Sequence, residues 1–426
     1  MEDKKKIHIK HIEIWIILFV VALGAGITAI VFGILGAKQN NKETGYKIVP
    51  LKEVEEIPLY GYDFDFVYYV DGTTLENQNR IDAISAEYSN QLAYFYSSFD
   101  EANVYEHYPS IGKVNKSNNE EVTLSEFTYN ALYDAYQKTI NGVNYSIFAE
   151  PIYTYWYSIF NKLTMEEVEA ADPLNNETTL SVLTALSTYI KDRNHVDLKF
   201  LGENKVKLEM SEEYKTYLSD YGLNDCVIGL NNLKTAYIAK NIVSYLRQYN
   251  YTGGYLHSRD GMIFQLDLNH ATFRYNYYDA YINNEGTLVD VNAADVTLNP
   301  YSYVLSNRRF AIDNGNVAYY FIKRDDVYYY RSLYIDIATG LPHNEVLSTT
   351  FYGDSNSDIL ELSYYNNELA KFTTIEEMRD YISTHNLSNN KVLIGFNDTN
   401  KNIFYSESIK DYISLSEELD YNLIKI

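Results

Sequence analysis

Residues 14–37 form an uninterrupted run of 24 residues with no charged side chain, IWIILFVVALGAGITAIVFGILGA. A helix rises about 1.5 Å per residue, so this run reaches about 36 Å and can cross a hydrocarbon core of roughly 30 Å. It is also longer than the apolar core of a cleaved signal peptide, which has about 7–15 residues. Lysines that flank a span stay on the cytoplasmic side, and four precede this one: Lys4, Lys5, Lys6 and Lys10. The run therefore predicts an uncleaved, single-pass anchor in the cell membrane with a cytoplasmic N-terminus.

This anchor divides the chain into four predicted parts. Residues 1–13 are a short basic tail in the cytoplasm, and residues 14–37 are the transmembrane signal anchor. Residues 38–58 are polar and are predicted to be a tether. Residues 59–426 are left for one large extracytoplasmic domain. The chain is 46% hydrophobic, which is enough for a sizeable core in that domain.

The net charge and the tyrosine content of the chain limit the classes of partner that it can bind. The formal net charge is −23, and such an acidic chain repels nucleic acid. Tyrosine is unusually common, with 45 copies, and tyrosine suits half-buried strands and amphipathic surfaces. A tyrosine-rich, carbohydrate-binding surface therefore stays open as an interpretation. Cys226 is the single cysteine, so no internal disulfide can form, and its strand-like surroundings favour a structural role.

Residues 332–363 contain the most informative motif of the predicted domain. Residues 333–337 and 346–352 are two β-prone runs. Gly permits a positive φ and Pro fixes φ near −65°, so the residues between the runs predict a tight turn. The turn residues are Thr339, Gly340 and Pro342.

An acidic loop follows the second run and leads into a predicted helix. Ser357 is a suitable N-cap, and Asp358 lies in the first turn, where the helix dipole favours a carboxylate. This layout places a carboxylate beside backbone oxygens, which suits a hard cation such as Mg²⁺. The plainer interpretation is an ordinary hairpin that leads into a capped helix.

The row YIDIATGLP at residues 334–342 resembles the H-I-I-D-P-x-T-G-x-P signature of the FAD:protein FMN transferases, the ApbE family. The row SDILEL at residues 357–362 resembles the A-D-A-L-A-T helix start that follows in the family. The resemblance implies an α+β fold, a mixed α/β body behind the single N-terminal transmembrane helix. It also implies an enzyme that uses Mg²⁺ to split FAD and attach FMN to a threonine of a partner flavoprotein, usually outside the cytoplasmic membrane.

The resemblance also assigns candidate ligand positions, although several family residues are replaced. In the row that resembles D-L-G-G-I-A-K-G, both glycines have become Asn and the lysine has become Thr. The implied flavin-binding positions are Asn231, Asn232, Thr235, Tyr237, Gly261, Asp336, Thr339 and Gly340. Asp358 keeps the metal carboxylate position, and Glu361 lies on the same helix face, where it is a second candidate metal ligand. No residue is assigned a catalytic role.

Two further replacements bear on activity. Leu333 stands at the family's histidine, and Leu362 stands at its metal-binding threonine. Three hypotheses follow: a divergent, active FMN transferase; a weakened or inactive relative that binds flavin or a partner; and a tyrosine-rich surface module. The resemblance favours the second, and FAD and Mg²⁺ are the expected cofactors only where the family function is retained.

Local patterns predict the remaining elements. Apolar residues spaced by three or four predict a helix over residues 81–95 and another over 230–246. Capping patterns predict helix starts at Thr123, Ser181 and Thr374. Strands are predicted at 199–210, 317–330 with a turn at Asp325-Asp326, and 391–396. Segments 230–246, 253–264 and 332–363 are expected to converge on one cleft.

Overall fold

The structure is a computed structural model. The residues that it describes are 41–54, 57, 64–117, 119–141, 146–160, 164–258, 262–267, 273–282, 288–299, 301–308, 319–325, 327–332, 335–342, 346–354, 356–369, 372, 374–385, 387, 391–396, 402–415 and 422–426. The predicted anchor, residues 14–37, lies outside these residues. Within the described part of the chain, no helix is long and apolar enough to cross a membrane.

The body is a mixed α/β structure, as predicted. Its helices are α1 (Thr74–Ser98), α2 (Ile111–Asn115), α3 (Glu126–Asn141), α4 (Glu150–Phe160), α5 (Met165–Ala171), α6 (Glu177–Lys191), α7 (Glu212–Asp220), α8 (Lys234–Gln248), α9 (Ile359–Leu369) and α10 (Ile375–Thr384). Short 3₁₀ turns occupy Ser146–Phe148, Asn231–Leu233 and Glu407–Tyr412.

The strands are β1 (Lys42–Ile48), β2 (Phe64–Thr73), β3 (Glu121–Thr123), β4 (Val196–Gly202), β5 (Lys205–Met210), β6 (Gly254–Ser258), β7 (Ile263–Gln265), β8 (Phe273–Ile282), β9 (Leu288–Leu298), β10 (Tyr303–Arg308), β11 (Tyr319–Arg324), β12 (Val327–Ser332), β13 (Val346–Gly353), β14 (Lys391–Phe396), β15 (Asn402–Tyr405), β16 (Ile413–Leu415) and β17 (Asn422–Lys425). The largest sheet has the order β1-β2-β6-β7-β10-β13-β14-β15-β17. Its pairs are antiparallel except β15 and β17, which run parallel. Smaller sheets have the orders β3-β5-β4, β16-β9-β8 and β11-β12.

The core forms where α1 covers β2. Apolar residues recur along α1 at helical spacing, so one face is buried: Ile81, Ile84, Tyr88 and Leu92. The Tyr88 ring packs against Phe66 of β2, with ring centres 5.6 Å apart. Its hydroxyl donates to the carbonyl of Phe64 at 3.3 Å, which satisfies the one polar atom of this buried side chain.

The predicted tether is corrected by the structure. Within residues 38–58, Lys42–Ile48 is the edge strand β1, and it pairs with β2 from Lys42↔Thr73 to Ile48↔Val67. Val49 follows the strand and is buried. The strand was missed because an edge strand can be polar, whereas the backbone ladder that holds it has no side-chain pattern.

Several predicted helix caps shift by a few residues. Ser125, not Thr123, accepts the backbone N–H of Thr128 at the start of α3, and Asn176, not Ser181, caps α6. The capping box of Thr374 and Glu377 is confirmed at α10. The predicted strands near residues 317–330 are confirmed as the hairpin β11–β12, with Asp325 at a positive φ in its turn.

The three segments expected at one cleft are partly brought together. Helix α9, from segment 332–363, packs against α8 and the turn Asn231–Leu233, from segment 230–246. Strands β6 and β7, from segment 253–264, share the large sheet with β13, and only β10 separates β7 from β13. Neighbouring strands lie about 4.8 Å apart, so these elements are close.

Candidate functional site

Helix α8 begins with a backbone conformation typical of glycine. Asn231 opens the turn Asn231–Leu233 at φ 47°, in the left-handed region that Asn tolerates better than most residues. Asn232 follows in the same turn, and Thr235 lies half-buried in the first turn of α8. Asn231 therefore adopts a backbone conformation that a glycine would also supply.

Three ionisable side chains meet at this helix start. The Nζ atom of Lys234 lies 3.1 Å from Oε2 of Glu101 and 4.6 Å from the ring centre of Tyr96. Glu150 lies beside them, against Gly229. A Cβ on Gly229 would overlap Oε1 of Glu150 and come within 2.7 Å of Cγ of Glu101. We call Glu101, Glu150 and Lys234 the helix-start cluster.

At neutral pH the positive and negative charges of the helix-start cluster balance one another within the cluster. Burial and the neighbouring Glu101 carboxylate raise the pKa of Glu150 to about 8, against the opposing effect of Lys234. Burial lowers the pKa of Lys234, but the charge and hydrogen bond of Glu101, together with the nearby Tyr96 and Asp100, outweigh burial, and the net shift of the pKa is upward. Near pH 7 the cluster therefore holds a protonated Glu150 and a Lys234–Glu101 ion pair. It leaves no surplus positive charge for the pyrophosphate of FAD, so these residues do not fit that anion.

Replacing Glu150 with Gln is expected to flatten the pH dependence of stability. A carboxyl whose pKa is raised on folding contributes stability that is complete below the unfolded pKa, near 4.5, and is lost as pH rises through about 8. We expect the wild-type chain to lose about 4 kcal/mol between pH 5 and pH 9 through Glu150, and Glu150→Gln to avoid most of the loss. Urea unfolding at pH 5, 7 and 9 measures it. The exposed Glu166→Gln should keep the wild-type profile; an unchanged profile in Glu150→Gln would contradict the assignment.

Tyr237 is buried in the body of α8. Its hydroxyl donates to Oδ2 of Asp134, and its ring centre lies 6.0 Å from that of Phe99. Burial and the bond to Asp134 raise the pKa of Tyr237 well above its usual value. The side chain is thus engaged within the protein, in packing and in one hydrogen bond.

The turn at residues 335–342 is held by its own side chains. Asp336 is buried, and its carboxylate accepts hydrogen bonds from the N–H of Ala338 at 2.9 Å and the hydroxyl of Thr339 at 2.7 Å. The N–H of Gly340 donates to the carbonyl of Asp336 at 2.7 Å. Asp336 and Thr339 therefore bond to each other and to their own loop.

The turn at residues 335–342 packs against helix α6. The hydroxyl of Ser187 donates to the carbonyl of Ala338 at 2.7 Å, and Nζ of Lys191 donates to the same oxygen. Gly340 has φ 74° and lies against the backbone of Leu183. The turn that contains Asp336, Thr339 and Gly340 is therefore held against α6 through Ala338 and Gly340. Gly261, the remaining predicted flavin-binding residue, lies outside the described residues.

Asp358 begins α9 as its N-cap, a role predicted for Ser357. The carboxylate accepts the N–H of Leu360 at 2.9 Å, and the carbonyl accepts the N–H of Leu362 at 3.0 Å. Both carboxylate oxygens lie 3.4 Å from Nζ of Lys240 on α8. The predicted metal carboxylate therefore already has a cationic partner from the chain itself.

The other side chains near Asp358 do not complete a metal site. Glu361 is exposed, and its Oε1 accepts the hydroxyl of Tyr365 at 3.3 Å. Leu362 is 3% exposed and belongs to the apolar core. Across the described ranges, no group of three or more His, Cys, Asp or Glu side chains could hold a metal ion. The residues present do not fit Mg²⁺, since one capped carboxylate paired with lysine supplies too few oxygens.

The sequence did not reveal which residues pair with Asp358 and with Lys234. Lys240 and Asp358 are 118 residues apart, and Lys234 and Glu101 are 133 residues apart. The one available signal was Lys234 itself, one position from the family's lysine. Glu150 gave no signal beyond an acid in an apolar surrounding.

Comparison with known proteins establishes the fold. No protein-family model matches the sequence, and no curated protein matches it. The crystal structure of the ApbE protein of Thermotoga maritima matches with a TM-score of 0.55 and 14% identity, covering 87% of this chain and 99% of that one. The flavin transferase ApbE of Vibrio cholerae matches with a TM-score of 0.49 and 14% identity, covering 87% and 100%. The first match, at that identity, concerns the fold alone: the body has an ApbE-like, flavin-transferase-like fold.

Proposed function

We propose that this chain is a divergent relative of the FAD:protein FMN transferases in which transfer of FMN is lost or severely weakened. The observation that carries the proposal is the ion pair of Asp358 with Lys240. A lysine ammonium lies beside the carboxylate that the family resemblance assigns to Mg²⁺. The chain's own cation takes the place of the metal at this carboxylate.

Charge balance explains why transfer would fail. Splitting a pyrophosphate builds up negative charge, which a held metal ion and aimed hydrogen-bond donors must stabilise. Removing one such donor costs about 2.7–4 kcal/mol, or 10²–10³ in rate. Here Leu362 stands at the position of the family's metal-binding threonine, and the nearby Lys234 is paired with Glu101. Losses within one site need not add, but a single one already slows turnover greatly.

A second candidate function is binding without chemistry, of flavin or of a partner protein. The left-handed backbone at Asn231 favours it, because a glycine at this helix start could take the same conformation. A tyrosine-rich, carbohydrate-binding module has less support. Many described tyrosines are core residues, among them Tyr88, Tyr214, Tyr237, Tyr303 and Tyr320.

Location is part of the proposal. We infer that residues 14–37 anchor the chain in the cell membrane, with the body on the extracytoplasmic side. The support is the uncharged run behind four lysines. An acceptor flavoprotein, FAD and Mg²⁺ would be the partners of the body only if some transferase activity is retained.

A labelling experiment tests the loss of transfer. The full chain, in detergent micelles, is incubated with FAD, Mg²⁺ and an acceptor protein that carries the family's target threonine motif. We expect no covalent FMN on the acceptor, while the Vibrio cholerae flavin transferase labels it in parallel. Robust labelling that disappears in Asp358→Asn would overturn the proposal.

A further inference from the structure

A surface groove lies between α6 and α7, apart from the residues discussed so far. It is shallow and open to solvent, offers about 410 Å³ and is lined by Tyr189, Glu212, Glu213, Thr216, Tyr217 and Asp220. Two tyrosine rings and three carboxylates thus face one groove, and no basic residue is among those lining residues. The hydroxyl of Tyr189 donates to Oε1 of Glu213 at 3.1 Å, so this carboxylate is held beside the ring.

The groove presents hydrogen-bond acceptors and tyrosine rings. The hydroxyl hydrogen of Thr216 is used on the carbonyl of Glu212, and that of Tyr189 is used on Glu213. Lys215 reaches Glu212 at 2.8 Å, but Glu212 is 88% exposed, so solvent screens the pair. A ligand that fits such a surface is rich in donors, positively charged and flat enough to lie on a tyrosine ring. A guanidinium group has these properties, since it stacks on aromatic rings and bonds carboxylates in a bidentate way.

The aromatic surface extends beyond the groove as a row of rings. Tyr189 and Tyr217 have ring centres 5.1 Å apart, Tyr217 and Tyr221 5.0 Å, and Tyr221 and Tyr155 6.2 Å. Tyr221 is 41% exposed and the other three tyrosines are half-buried, so each ring of the row is partly open to solvent. In an extended peptide, side chains on one face recur about every 7 Å, which is about 1–2 Å longer than these spacings and within the reach of a long, flexible side chain.

We propose that this groove and its row of tyrosines bind an extended peptide segment with arginine at alternate positions. The arginine side chains lie on the rings, and Glu213 and Asp220 pair with their guanidinium groups. The inference does not depend on flavin chemistry, because none of its residues belongs to the helix-start cluster or to α9. It gives the body a site for a basic partner protein.

Fluorescence anisotropy of a labelled peptide tests the proposal. The probe is an eight-residue Arg-Ser repeat, and the comparison peptide has the same composition with its four arginines consecutive. With the full chain in detergent micelles, we expect the alternating peptide to bind several-fold more tightly. Glu213→Gln with Asp220→Asn should weaken its binding about tenfold, and Tyr217→Leu about fivefold.

The matched control is Glu376→Gln with Asp380→Asn on α10. It removes the same two charges from exposed positions outside the groove, and binding should stay within twofold of wild type. Equal weakening by the control pair would reduce the effect to general attraction by a chain of net charge −23 and would overturn the proposal. A second outcome would also overturn the proposal. In it, the chain does not bind the peptide but binds a neutral oligosaccharide, independently of salt and only when Tyr217 is present.

Discussion

Replacing Asp172 with Ala is expected to lower the free energy of unfolding by about 3–5 kcal/mol, because it removes the carboxylate that pairs with a buried guanidinium. Asp172 is fully buried at the end of α5, and Arg331 of β12 is 3% exposed. Nε of Arg331 donates to Oδ2 of Asp172 at 2.8 Å, and the hydroxyl of Tyr320 donates to the same oxygen at 2.8 Å. The other oxygen accepts the N–H of Leu174 at 2.8 Å. One carboxylate thus joins α5 to the hairpin β11–β12.

Urea unfolding monitored by tryptophan fluorescence measures this effect, since Trp156 is buried and its ring centre lies 6.5 Å from that of Tyr320. Asp71→Ala is the control, because its pair with Lys42 is 3.0 Å long but exposed. Such surface pairs contribute about 0–1 kcal/mol. Adding Arg331→Met to Asp172→Ala should recover part of the loss by removing the buried charge that Asp172 neutralised. An Asp172→Ala effect no larger than that of the control would contradict the account.

Replacing Gly340 with Ala is expected to cost about 2–4 kcal/mol, from backbone strain together with a steric clash. Gly340 has φ 74°, and a Cβ at this position would overlap the carbonyl oxygen of Leu183 and lie 2.6 Å from its carbonyl carbon. Because the turn is fastened to α6 at this point, the clash displaces either the turn or the helix. The midpoint of thermal unfolding should fall accordingly.

Substitution of Gly202 separates the cost of backbone strain from the cost of the steric clash. It has a similar φ, 83°, but no atom lies within 4 Å of the position that a Cβ would take. Gly202→Ala should therefore show only the conformational cost of the left-handed region, about 1 kcal/mol. If the two substitutions destabilise the chain equally, the turn at 335–342 is not packed against α6 as described.

Patterns with a local physical cause could be predicted from the sequence. The apolar stripe of α1 and the capping box at Thr374 are each contained in one element, and both are present. The motif at residues 334–342 led to the ApbE-like fold. Its Asp336, Thr339 and Gly340 form a turn closed by its own hydrogen bonds.

Features that depend on distant partners could not be predicted. Strand β1 is held by a backbone ladder with β2, and a polar edge strand has no apolar alternation to reveal it. The partner of Asp358 is on α8, and Glu101 reaches Lys234 from the loop after α1. Burial raises the pKa of Glu150, and burial follows only from the assembled fold. The resemblance thus identified the scaffold, whereas the charges at the site became visible only in three dimensions.

Titration of Mg²⁺ into the full chain, with and without FAD, tests most directly whether the chain's own charges have replaced those of a transferase site. Isothermal calorimetry in detergent micelles would compare the wild-type chain with Asp358→Asn and with the exposed control Asp380→Asn. We predict no saturable Mg²⁺ binding up to millimolar concentration in any of the three, because Lys240 neutralises the one aligned carboxylate. Saturable Mg²⁺ binding by the wild-type chain that Asp358→Asn abolishes and Asp380→Asn preserves would contradict the account.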